Sequence, residues 1–308
     1  MKNWIIGVLV VVVLAGGAYM LWGDQRENST TNDQVDSDAS VNLKGDLGVD
    51  AALESENKDR TVIGTSVEGR DIVAYHYGTG TEEVVLIGGI HGGYSWNTSI
   101  LGYGIRDYLK ANPTAIPSNL KMTVIPDLNP DGLYKLVGTT TPFIRVDASM
   151  PVAMTVASRF NANNVDLSRN FDCGWQPTGV WQNKKVSGGS SAFSEPESRA
   201  IRTYLETDHP AGAPKAVVVY YSAAGGVYAS ACGAGILPET SAITSSYAKA
   251  SGYKAYDTFD AYPTSGDIVN WLAKKNIPAI SVLLTNHTDI ELDKNLAGIK
   301  SVLARYAK

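Results

Sequence analysis

Three short, uninterrupted apolar runs limit what this chain can fold into more than any other feature of its sequence. They occur in EEVVLIGG, in KAVVVYYS and in IPAISVLLTN. Runs of this length, rich in β-branched residues and followed by glycine or polar residues, are typical of strands buried on both faces. Segments with helical spacing separate them. The alternation predicts an α/β domain with a parallel or mixed sheet and helices on both faces.

The N-terminal region differs in composition from this domain. From Trp4 to Trp22 there are 19 residues without a charge. As a helix this run would be roughly 28 Å long, close to the hydrocarbon thickness of a bilayer, and tryptophan at both ends suits the two interfaces. Residues 1–22 are therefore predicted to be a transmembrane anchor, and the alternative is a signal peptide cleaved near Ala18.

Residues 23–60 are dominated by Ser, Thr, Asn, Asp and Gln. Such a segment cannot bury enough apolar surface to fold, which predicts a flexible polar tether. Residues 61–308 would then form the folded domain, held outside the cytoplasm by the anchor. The two cysteines, Cys173 and Cys232, fit an exported domain with one possible disulfide, and two buried free thiols are the alternative. The net charge of −5 gives no indication of nucleic-acid binding.

A lone histidine, His91, stands in the glycine-rich turn GGIHGG after the first apolar run. The carboxyl end of a strand is where an α/β hydrolase would place a metal ligand or a catalytic base. A metal site needs further ligands close by, yet glycines, Tyr94 and Ser95 follow. The absence of a G-x-S-x-G motif in the sequence argues against a serine hydrolase. Among the other histidines, only His287 is expected near the rim of the pocket, and it is interpreted there as a surface-loop histidine.

Seven motifs follow one another in an order that resembles the zinc carboxypeptidase family, whose members are similar to carboxypeptidase A. They are IGTSVEGRDI, GGIHGG, NPDG, SRFNANNVDLSRNFD, GSSAFSEPES, VVVYYSAAGG and YPTSGDIVNWLAKKNIPAISVLL. The resemblance covers about residues 60–305. It implies a carboxypeptidase-like α/β fold, with a twisted mixed sheet of eight strands between helices.

The resemblance also implies which residues would bind a substrate. Arg169 matches the arginine that binds the terminal carboxylate of a peptide, and Ser168 stands where an asparagine is usual. Arg159 matches an arginine that stabilises the oxyanion, and Tyr262 matches a mobile tyrosine that closes over the site.

The metal-binding part of the family pattern is mostly missing. In the family, a His and a Glu from the first turn and a second His hold zinc. His91 matches the first ligand, but Tyr94 or Ser95 occupies the glutamate position and Tyr221 the position of the second histidine. One imidazole cannot hold the ion at ordinary concentrations. Zinc is thus implied by the family but is not expected to bind this chain.

The position of the general base is also altered. Leu283, or Leu284 if the alignment shifts by one residue, stands where the family has a glutamate. The sequence therefore predicts a membrane-tethered, catalytically impaired or inactive protein that binds the C-termini of peptides or of peptidoglycan stem peptides. An active metallocarboxypeptidase with a non-standard site is the alternative, and a purely structural scaffold is a third interpretation.

Overall fold

The secondary structure follows the predicted alternation of strands and helices. The computed structural model describes residues 59–140, 152–207 and 212–308. Its strands are β1 (Arg60–Thr65), β2 (Asp71–Tyr77), β3 (Glu82–Ile87), β4 (Leu120–Ile125), β5 (Thr178–Trp181), β6 (Lys184–Ser187), β7 (Ala216–Ser222), β8 (Gly226–Ala229), β9 (Lys254–Tyr256) and β10 (Ala279–Leu284). Its α-helices are α1 (Trp96–Ala111), α2 (Pro130–Val137), α3 (Val152–Ala157), α4 (Pro196–Glu206), α5 (Pro238–Ser251), α6 (Ile268–Lys274) and α7 (Leu292–Tyr306).

Eight of the described strands form one mixed sheet. The strand order is β1-β2-β4-β3-β7-β10-β8-β9, and β5 and β6 form a separate hairpin. At the centre, β4, β3, β7 and β10 run parallel to one another. The predicted mixed eight-stranded sheet is confirmed. The three apolar runs that indicated it are β3, β7 and β10, which lie side by side.

Each central strand contributes to two hydrophobic cores, one on each face of the sheet. In β7, Val219 and Tyr221 pack on the face covered by α4 and α6, whereas Val218 and Tyr220 pack against α1, α5 and α7. Side chains alternate between faces along a strand. A buried central strand therefore needs apolar residues at every position, which explains the uninterrupted runs.

Two glycines are required by the backbone near the ends of the central strands. Gly92, directly after His91, has φ +44°, and a Cβ there would lie 2.7 Å from the carbonyl oxygen of Ser158. Gly266, before α6, has φ +65°, and its Cβ would lie 2.3 Å from the carbonyl oxygen of Arg169. Only glycine fits both the left-handed conformation and the close contact.

The predicted anchor (1–22) and all but the last two residues of the predicted tether (23–60) lie outside the described residues. Arg60, the last residue assigned to the tether, already belongs to β1. Within the described ranges, no helix is both long enough and apolar enough to cross a bilayer. The transmembrane anchor stays a prediction. Cys173 and Cys232 form a disulfide, so the first of the two sequence interpretations is confirmed.

Candidate functional site

A cavity of about 660 Å³ lies where the carboxyl ends of β3, β7 and β10 meet. Crevices at this end of parallel strands are the usual ligand sites of open α/β sheets. The structure brings together almost all the side chains singled out from the sequence. The lining includes His91, Tyr94, Arg159, Ser168, Arg169, Tyr221, Tyr262 and Leu283.

The sequence left two pairs of alternative positions open, and the cavity lining contains one residue of each pair. Tyr94 lines the cavity, whereas Ser95 is buried and is absent from its lining. Leu283 lies beside Tyr221 in the pairing of β10 with β7 and also lines the cavity. Leu284 points to the opposite core, because successive side chains of a strand alternate between faces.

Arg159, which lines the cavity, is held by a buried ion pair with Asp166. Both side chains are almost fully buried, and Nε and Nη2 of Arg159 lie 3.0 and 2.9 Å from Oδ2 of Asp166. Burial opposes ionisation of this carboxyl, but the guanidinium beside it holds its pKa well below the usual range. Asp166 is therefore an ionised carboxylate that fixes Arg159.

Ser168 connects this carboxylate to His91. Its Oγ lies 2.7 Å from Oδ1 of Asp166 and 3.0 Å from Nε2 of His91, and Nη1 of Arg169 donates to it at 3.0 Å. The amide of Ser168 also donates to Asp166, which begins the short 3₁₀ helix Leu167–Arg169. The residue in the place of the usual asparagine is thus the centre of a buried hydrogen-bond network.

His91 is neutral in this network. Burial, followed by the nearby charge of Arg159, lowers the pKa of its imidazole well below the ordinary value. The 3.7 Å approach of its Nε2 to Asp166 is consequently not an ion pair.

Arg169 is fixed mainly by backbone oxygens. Its Nη1 donates to the carbonyl of Ser168 at 2.8 Å, and its Nη2 donates to the carbonyl of Val180 at 2.8 Å. Its side chain packs so closely on Gly179 that a Cβ there would lie 2.8 Å from Cδ of Arg169. The guanidinium also lies 5.8 Å from the ring centroid of Tyr262. Arg169 is thereby held at the cavity without a carboxylate partner among the described residues.

Tyr221, predicted from the resemblance to replace the second histidine, donates from its hydroxyl to Oδ2 of Asp267 at 3.1 Å. Asp267 begins α6 by accepting from the amide of Val269. Burial raises the pKa of both groups, that of Tyr221 well above its ordinary value. The phenol therefore stays protonated and acts as a hydrogen-bond donor.

The described side chains do not fit a zinc ion. Tetrahedral zinc needs three or four protein ligands. Within the described ranges, no group of three His, Cys, Asp or Glu side chains is placed to hold a metal ion. The phenols of Tyr94 and Tyr221 are poor substitutes, because burial raises the pKa of each. Leu283, which also lines the cavity, has an aliphatic side chain that cannot accept a proton.

His287 lies in the loop after β10, near the rim of the pocket as predicted, and its half-buried side chain is part of the cavity wall. Its ring packs on that of Tyr94 at 4.6 Å between centroids, and burial lowers its pKa. Tyr94 in turn contacts Trp181, and Arg159 lies 4.4 Å above the Trp181 ring. Aromatic side chains thus contact the guanidinium of Arg159 in addition to Asp166.

Sequence reasoning also missed Asp166, Trp181 and Asp267 as parts of the site. Asp166 could have been noticed, because it stands two residues before Ser168 in the same motif. Trp181 is on the hairpin β5–β6, and Asp267 is 46 residues from its partner Tyr221. The sequence around Trp181 and Asp267 gives no indication of which side chains they contact.

Comparisons with known proteins agree with this architecture. The family model for zinc carboxypeptidases matches residues 51–294. The chain therefore belongs to the zinc carboxypeptidase family.

Among solved structures, the murein-tripeptide amidase MpaA from Escherichia coli O157 is 19% identical, covers 81% of this chain and 92% of its own, and has a TM-score of 0.57. Carboxypeptidase A from Helicoverpa armigera is 20% identical, with coverage of 84% and 70% and a TM-score of 0.61. Bovine thrombin-activatable fibrinolysis inhibitor is 14% identical, with coverage of 83% and 95% and a TM-score of 0.64. At these identities the likeness concerns the fold.

One curated relative is bacteriocin BCN5 of Clostridium perfringens, which is 28% identical over 156 residues. The match takes in 49% of this chain but only 15% of the bacteriocin. This chain therefore corresponds to a small part of that protein.

Proposed function

We propose that this chain is a membrane-tethered, carboxypeptidase-like protein that binds the C-terminal ends of peptides without hydrolysing them. The main support is that one cavity keeps the arginines that would bind a substrate but lacks the side chains that would bind zinc or accept a proton. Arg159 and Arg169 are present and held in place. Tyr94, Tyr221 and Leu283 line the same cavity, and the resemblance matches them to two zinc ligands and the base.

The proposed loss of activity follows from the chemistry of those side chains. In a metallopeptidase, zinc activates the attacking water and polarises the carbonyl, and the base accepts a proton. Loss of the base alone typically costs about 10²- to 10⁴-fold in rate. An arginine needs neither metal nor base to bind a carboxylate. Binding therefore survives substitutions that remove hydrolysis.

Peptidoglycan stem peptides are the proposed source of these C-termini. This part of the proposal is supported by the fold shared with a murein-tripeptide amidase. It is also supported by the disulfide between Cys173 and Cys232, since structural disulfides persist mainly in oxidising compartments. The 19-residue uncharged run from Trp4 to Trp22 supports a tether to the membrane.

Peptide binding is tested with N-acetyl-glycyl-phenylalanine and its C-terminal amide, titrated calorimetrically into the detergent-solubilised full chain. We expect amidation to weaken binding by about 10- to 100-fold, because a charge-assisted hydrogen bond contributes about 1.5–3 kcal/mol. Arg169→Met should weaken binding of the free acid to the same extent. The matched control is Arg305→Met, because Arg305 pairs with Glu239 on the surface away from the cavity.

Zinc analysis of the same preparation separates the proposal from its alternative. We expect far less than one zinc per chain and no release of phenylalanine. Near-stoichiometric zinc with chelator-sensitive release would instead support an active metallocarboxypeptidase. If neither peptide binds and no hydrolysis occurs, the protein is a scaffold and the proposal is wrong.

The extracytoplasmic location is tested by labelling thiols in intact cells with a membrane-permeant maleimide. We expect Cys173 and Cys232 to remain unlabelled before reduction and both to react after dithiothreitol, because the disulfide forms only in an oxidising compartment. Labelling of both cysteines without reductant would place the domain in the cytosol and contradict this part of the proposal.

A further inference from the structure

One nitrogen of the His91 imidazole has no partner among the described residues. Nε2 is engaged by Ser168, whereas Nδ1 is buried and makes no hydrogen bond to any described atom. Buried polar atoms are rarely left unpaired, and each exception calls for an explanation. His91 lines the cavity, so a ligand bound there could supply the missing partner.

The hydrogen-bond network shows whether the missing partner of Nδ1 must be a donor or an acceptor. Asp166 is ionised and can only accept, so the 2.7 Å contact between its Oδ1 and the Ser168 hydroxyl uses the single proton of that hydroxyl. Nε2 of His91, 3.0 Å from the same hydroxyl oxygen, must then be the donor. A neutral imidazole carries one proton, so Nδ1 is a bare acceptor. It requires a ligand N–H or O–H.

That acceptor is in the same cavity wall as the proposed carboxylate-binding arginine. Nε2 of His91 and Nη1 of Arg169 are each 3.0 Å from Oγ of Ser168, so these two nitrogens are at most about 6 Å apart, and Nδ1 is farther from the arginine by no more than the width of the imidazole ring. In a peptide, the N–H of the last residue is the donor nearest to the terminal carboxylate. Its nitrogen and the carboxyl carbon share one Cα and are about 2.5 Å apart.

We infer that Nδ1 of His91 accepts a hydrogen bond from the amide N–H of the ligand's C-terminal residue, so that the site distinguishes an amide from an ester. The inference rests on the proposed binding of peptide C-termini. It gives His91 a role that does not involve a metal ion. The histidine becomes a specificity-determining residue, positioned by Ser168 and, through it, by Asp166.

The test compares N-acetyl-glycyl-phenylalanine with its ester isostere, N-acetyl-glycyl-phenyllactate, on the full chain. Both ligands carry a free carboxylate, and only the amide has the N–H. The ester should bind about 10- to 100-fold more weakly, because it leaves a buried acceptor unpaired and places an oxygen against it. In His91→Phe, which lacks the acceptor, the two affinities should become similar.

Nitrogen-15 spectra of the wild-type imidazole provide a second measurement that does not depend on how the variant folds. In the free protein the proton should be on Nε2, and binding of the amide should shift the Nδ1 resonance while the ester shifts it little. Equal binding of amide and ester, or a proton on Nδ1, would overturn the inference and leave the proposed function intact. If neither ligand binds, the proposed function is wrong and the inference falls with it.

Discussion

The triple variant Tyr94→Glu/Tyr221→His/Leu283→Glu is expected to bind about one zinc ion per chain, which the parent chain is not expected to do. The variant supplies a carboxylate and a second imidazole beside His91, whose ring lies 5.2 Å from that of Tyr221. The unpaired Nδ1 of His91 is already free to coordinate. Ser168 would orient the ring from outside the metal site. We expect zinc affinity to rise by at least about a thousandfold, since complete zinc sites bind with about 10–16 kcal/mol.

Two matched variants control for nonspecific metal binding. Ser95→Glu/Tyr221→His/Leu283→Glu carries the same new groups, but its first glutamate is at a buried position outside the cavity lining. It should bind zinc much more weakly than the Tyr94 triple variant, because it lacks the carboxylate at the cavity position next to His91. Adding His91→Gln to the Tyr94 triple variant should abolish binding. Zinc is measured by plasma emission after dialysis, and folding by circular dichroism. A folded triple variant without zinc would show that the family positions were assigned wrongly.

The fold could be predicted well because its strongest signal is local. In β7 and β10 nearly every residue is apolar, as required of strands that contact a core on both faces. The order of strands in the sheet could not be derived from those runs, because it depends on contacts between segments far apart in the chain. The resemblance to a family gave the number of strands and the mixed character of the sheet but not the order.

The site was predicted less completely, for two physical reasons. The sequence could not distinguish Tyr94 or Leu283 from the residue that follows each of them. Neighbouring residues place their side chains in different directions, and only the folded turn and the pairing of β10 with β7 show which side chain faces the cavity. The partners of site residues also come from distant segments. Tyr221 bonds to Asp267 on another element. His287, interpreted from the sequence as a surface-loop histidine near the pocket rim, packs on Tyr94 in the cavity wall.

Replacement of Asp166 by alanine is expected to destabilise the protein by about 3–5 kcal/mol, because it leaves the buried guanidinium of Arg159 without its counter-ion. The carboxylate also accepts from Ser168, so the network that orients His91 would be lost. The folded-state pKa of Asp166 lies below its unfolded value. Its stabilising contribution is therefore complete above about pH 5 and is lost as the pH falls through the folded-state value. Urea unfolding of variant and parent at pH 7 measures the difference.

The matched control is Asp172→Ala, which removes an exposed ion pair with Lys274 of similar length, 2.9 Å. It should change stability by no more than about 1 kcal/mol. The double variant Asp166→Ala/Arg159→Met should be more stable than Asp166→Ala alone, because the uncompensated charge is gone and methionine can pack against Trp181. If Arg159→Met instead lowers the free energy of unfolding further, the destabilisation by Asp166→Ala does not come from an unpaired arginine. The buried ion pair would then not be what holds Arg159 at the cavity.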